Sequence, residues 1–79
     1  MYRLASFLFG LLVAVGILPS PAAADDVATC IKGAGEAKIA ACTKVIERQR
    51  NSGFAYNNRG NAWREKGDLD RAIADFETI

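Results

Sequence analysis

The chain has 79 residues, a hydrophobic fraction of 51% and a formal net charge of +1. It contains no histidine, so it lacks the commonest general base and a leading transition-metal ligand. It also shows no basic excess of the kind that nucleic-acid binding requires.

The amino end reads as an export signal. Arg3 and the terminus are positive, Leu4 to Leu18 is a nearly unbroken apolar run, and Pro19, Ser20 and Pro21 break it. Ala22, Ala23 and Ala24 then offer small residues for cleavage before Asp25, the order of a secretory signal peptide. The run is too short for a membrane helix, which needs about 20 apolar residues. Cleavage between Ala24 and Asp25 is therefore expected, with no stable membrane anchor left behind. The expected location is extracytoplasmic, either periplasmic or secreted.

From Asp25 onward the chain keeps 23 apolar residues, and nine of them are alanine. That is a thin core, and domains this small often need disulfides, metals or partners to stay folded. Nine basic and nine acidic side chains balance over the same stretch.

Residues 25–52 read as a first helical hairpin. Asp25 to Lys32 spans only about two helical turns, a length that is marginal as an isolated helix. Gly33, Ala34 and Gly35 form a turn. Glu36 to about Arg48 is helical, with Ile39, Cys42, Val45 and Ile46 as its apolar stripe. Gln49 to Gly53 is a polar connection. Cys30 and Cys42 are the only cysteines and lie on opposite sides of the glycine turn. An antiparallel hairpin brings them face to face, and an oxidising compartment favours their disulfide; free buried thiols are the alternative. Closing a loop of this size contributes about 3 kcal/mol in the chain-entropy model.

Residues 53–79 read as a second hairpin. Tyr56, Gly60 and Trp63 fall at i, i+4 and i+7 on one face of a helix running from Phe54 to Lys66. Gly67 closes that helix in a left-handed conformation, and Asp68 caps the next. Leu69, Ala72, Ile73 and Phe76 form the apolar stripe of the last helix. Asp68, Asp70 and Asp75 are read as an N-cap, a first-turn charge suited to the helix dipole, and part of an exposed face. No metal site is expected from them.

The two hairpins correspond at an offset of 34 residues: Ala28 with Ala62, Lys32 with Lys66, Gly33 with Gly67, Ile39 with Ile73, and Ala40 with Ala74. Glu36 corresponds to Asp70, and Val45 to Ile79. The second hairpin also carries Tyr56-x2-Arg59-Gly60-x2-Trp63, then Ala72-x3-Phe76. This resembles the tetratricopeptide repeat pattern W-x2-L-G-x2-Y then A-x3-F, with Arg59 where that pattern has leucine. The resemblance covers 53–79 well and 25–45 more weakly.

The resemblance implies an all-α fold of antiparallel helical hairpins, one degenerate repeat followed by one near-complete repeat. Tyr56, Gly60, Trp63, Ala72 and Phe76 would be its repeat core. It also implies protein binding, because the first helices of successive repeats in this family line a concave groove for a peptide segment or partner helix. Asn57, Asn61 and Arg64 at i, i+4 and i+7, with Asn58 beside them, are the candidate peptide-binding residues. Amides both donate and accept, and arginine holds carboxylates. The expected partner is thus a protein or peptide, or a second copy through self-association. No cofactor is expected.

Two other readings stand beside this one. Repeat arrays of this class usually need about three repeats to bury a continuous core, so the chain can be a truncated or amino-terminal piece of a longer repeat protein. A catalytic domain lying after Ile79 would then supply any chemistry. The chain as given shows no nucleophile beside a plausible base and no phosphate-cradling glycine loop, so it is not expected to be an enzyme.

Overall fold

A computed structural model describes residues 21–79; the apolar run read as an export signal lies outside them. The described residues form four helices: α1 Pro21–Lys32, α2 Gly35–Arg48, α3 Gly53–Lys66 and α4 Leu69–Thr78. No strand occurs among them. The fold is all-α, as expected.

Cross-helix pairs fix the directions. Asp26 near the start of α1 meets Arg48 at the end of α2 at 2.7 Å. Lys66 at the end of α3 pairs with Glu36 in the first turn of α2. Gly60 lies against Phe76, and Gly53 faces Ile79. Each helix is therefore antiparallel to the one before it. Helix α2 packs against both α1 and α3, α1 also touches α3, and α4 touches only α3 among the described helices.

Among the described residues α1 runs from Pro21 to Lys32, so it includes the four residues before Asp25. The candidate cleavage residues Ala24 and Asp25 thus lie inside α1 as it stands.

The two glycine turns differ. Gly67 has φ +90°, and the N–H groups of Gly67 and Asp68 donate to the carbonyls of Arg64 and Trp63. These bonds close α3 in the left-handed glycine manner. Asp68 then caps α4 by accepting from the Arg71 N–H at 3.2 Å. In the first turn the left-handed residue is Gly35, with φ +59°. Gly33, the counterpart of Gly67, keeps a helical bond to the Thr29 carbonyl at 2.7 Å.

The main core lies among the first three helices. Cys30, Ala41, Cys42, Val45, Ile46 and Ala55 form it, with Tyr56 packed on its edge. The largest side chains buried completely are the two cysteines. They are bonded to each other, with Cα atoms 4.6 Å apart. A core this poor in large side chains gains little from burial, so the cross-link between α1 and α2 carries unusual weight.

Two expectations for α4 are corrected. Leu69 and Ile73 are not buried with Ala72; they are 58% and 52% exposed. Asp75 is not on an exposed face; it is 5% exposed and ion-paired. In both cases the helix is right. The neighbour decides: among the described helices α4 has one on one side only, and that helix presents an arginine.

Candidate peptide-binding surface

Helix α3 does two jobs with two faces. Ala55, Arg59 and Ala62 fall at i, i+4 and i+7. Ala55 and Ala62 are 0% and 1% exposed, and Arg59 reaches α2, so this is the face that α3 turns to α2. On the side toward α4, the Gly60 backbone meets the Phe76 ring. A Cβ at Gly60 would come within 2.5 Å of that ring, so close approach requires glycine at this position.

The other residues expected in a repeat core differ in burial: Ala72 is buried, and Tyr56, Trp63 and Phe76 are half-buried. Ala72 is buried at 2%. Tyr56 borders the core, with the Arg59 guanidinium 5.7 Å from its ring centroid. Trp63 is partly exposed and carries two cations on its ring, Lys66 at 5.4 Å and Arg71 at 4.8 Å. Such contacts contribute about 0.5–1 kcal/mol each at exposed sites.

The polar contact that sequence reasoning missed joins three helices. Arg59 donates from Nε and Nη2 to the two carboxylate oxygens of Asp75 on α4, at 2.8 Å and 2.7 Å. It also donates from Nη1 to Thr43 Oγ1 on α2 at 3.1 Å. Thr43 Oγ1 itself donates to the Ile39 carbonyl at 2.8 Å. The hydrogen bond to Asp75 is the main reason the Arg59 guanidinium holds its proton more tightly than an ordinary arginine, against the opposing effect of burial. The signal available in the sequence was Arg59 itself, standing where the repeat pattern has leucine. A charged group placed at a helix contact needs a partner.

The outer face of α3 is free of such commitments. Asn57 and Arg64 are exposed, and Asn58 and Asn61 are half-buried. Their side chains make no hydrogen bond to another described residue. Phe54, which sequence reasoning did not single out, is 42% exposed and shares this face by helical spacing. Helix α1 lies beside α3 and exposes Val27 and Ile31 at 37% and 50%. The result is a surface of unpaired amides and one guanidinium next to modest apolar patches.

No group of histidine, cysteine or acidic side chains able to hold a metal occurs among the described residues. None of the described helices is long and apolar enough to cross a membrane. The chain matches no family model, no curated protein and no solved structure.

Proposed function

We propose that this protein is an interaction module of the tetratricopeptide-repeat class that holds an extended peptide segment or a partner helix on the face of α3 beside α1. The observation that carries this reading is the set of amides at Asn57, which is exposed, and Asn58 and Asn61, which are half-buried, none with a hydrogen bond to another described residue. A peptide backbone offers alternating N–H and C=O groups, and an amide side chain complements both. Arg64 adds a donor for a carboxylate. Phe54, Val27 and Ile31 supply apolar contact for side chains of the partner.

The same reading places the protein outside the cytoplasm. The Cys30–Cys42 bond supports it, since cytosolic thiols are kept reduced. The apolar amino-terminal run fits export.

The test is capture of extended peptides from a displayed random library by the wild type and by the Asn57→Ala/Asn61→Ala variant. Selected peptides should bind the wild type and lose about tenfold or more in affinity on the variant, on the scale of one or two hydrogen bonds. Both proteins should show the same helicity. Equal binding by the two proteins sinks the proposal.

A further inference from the structure

Among the described residues, helix α1 is held chiefly by one covalent bond. Its one buried residue is Cys30, and Cys30 is bonded to Cys42 on α2. The Asp26–Arg48 ion pair lies at the surface, where such pairs hold helices weakly. By contrast, α2 buries Ile39, Ala41, Cys42, Val45 and Ile46, and α3 buries Ala55, Gly60 and Ala62. Cleavage before Asp25 would leave α1 about two turns long, a length that is marginal for a helix standing alone. Yet α1 supplies Val27 and Ile31, 37% and 50% exposed, to the surface beside the amides of α3.

We infer, resting on the reading of α3 as a peptide-binding helix, that oxidation of Cys30 and Cys42 completes the peptide face. With both cysteines as thiols, α1 leaves α3 and the face binds weakly. Formation of the disulfide locks α1 in place and raises the affinity. In that step the two thiols give up two protons and two electrons and form one S–S bond. A disulfide-bearing oxidant takes up both and leaves as a dithiol. The chain is thus a weak binder while cytosolic reductants keep its thiols reduced, and it becomes competent in the oxidising compartment to which export delivers it.

The effect works through populations. Without the cross-link, a helix with one buried residue is docked in only a fraction of the molecules. The affinity of a site falls in proportion to the fraction in which it is complete. The α3 half of the face does not need the bond. Asn57, Asn58 and Asn61 stand on a helix packed against both α2 and α4, and its buried Gly60 lies against Phe76 whatever α1 does. Reduction therefore removes the apolar half, Val27 and Ile31, and leaves the amides in place.

The probe is a peptide selected from the displayed library on the oxidised full chain, as purified from an exporting host. Its affinity is measured before reduction by a dithiol, after reduction confirmed by intact mass, and after reoxidation. It should fall about tenfold or more on reduction and return on reoxidation. Amide exchange in the reduced chain should show α1 unprotected and α3 still protected. Cys30→Ala/Cys42→Ala should match the reduced chain without any reductant present. Val27→Ala/Ile31→Ala, with the bond intact, should lose affinity to a similar degree at unchanged helicity, since both positions are exposed. Equal affinity of the oxidised and reduced chains overturns the inference and leaves the peptide reading standing. So does loss of protection in α3 together with α1, which would make the bond a staple for the whole fold. So does a Val27→Ala/Ile31→Ala variant that binds like the wild type. A library that yields no peptide for the oxidised chain removes the reading of the face, and this inference with it.

Discussion

Arg59 grips Asp75 through two parallel hydrogen bonds, at 2.8 Å and 2.7 Å, with the carboxylate side chain only 7% exposed. Paired in this fork geometry, the two charges satisfy each other. Separated, the carboxylate would be left buried without its cation.

Replacing Arg59 with leucine should therefore destabilise the fold. The cost should be about 2–4 kcal/mol, because one charge of a buried pair is orphaned. The Arg59→Leu/Asp75→Ala double variant should recover most of that loss. Denaturant titration of the four proteins of this cycle measures both. Additive effects of the two substitutions would show that the pair contributes nothing as a pair.

The disulfide gives a second prediction. Cys30 and Cys42 are each 0% exposed, 12 residues apart. Replacing both with alanine should cost about 3 kcal/mol in the chain-entropy model. The loss should be uneven along the chain. Amide exchange should rise first in α1, which has few large buried side chains of its own, and last in α3, which is packed on both sides. Uniform loss of protection across all four helices would contradict this.

Gly60 gives a third. Gly60→Ala must displace the Phe76 ring, since the new methyl would lie 2.5 Å from it. The expected cost is about 1–3 kcal/mol, the usual range for overpacking. It should shrink when Phe76 is changed to leucine in the same chain. Thermal melts followed by circular dichroism decide it. An unchanged midpoint in Gly60→Ala would mean the ring moves aside freely.

Much of this architecture is legible in the sequence, because helix ends depend on local chemistry. Gly67 followed by Asp68 announces a left-handed closure and then a cap, and both are present. The cysteine pair was legible because a glycine turn between two helical stretches leaves little freedom in how they meet. Helical spacing also placed Asn57, Asn61 and Arg64 on one face of α3.

The misreadings concern what lies opposite a residue. Periodicity puts Leu69, Ala72 and Ile73 near one another on α4, but it does not say that only part of that arc has a helix against it. Asp75 carries a charge, and charge on an amphipathic helix usually signals solvent. Its burial depends on Arg59, 16 residues away, and on the position of Thr43 beyond that. The first glycine turn shows the same limit locally. Gly33 and Gly67 align in sequence, yet the positive φ falls on Gly35 in one turn and on Gly67 in the other.

The complete burial of both sulfurs has a kinetic consequence. Thiol–disulfide exchange requires an attacking thiolate to reach a sulfur atom. Here none can do so while α1 lies on α2, because neither cysteine presents any surface. Reduction must wait for α1 to lift. Its rate in excess reductant would then stop rising with reductant concentration and settle at the opening rate of the helix. A simple chemical clock would thus report how often α1 leaves the other described helices.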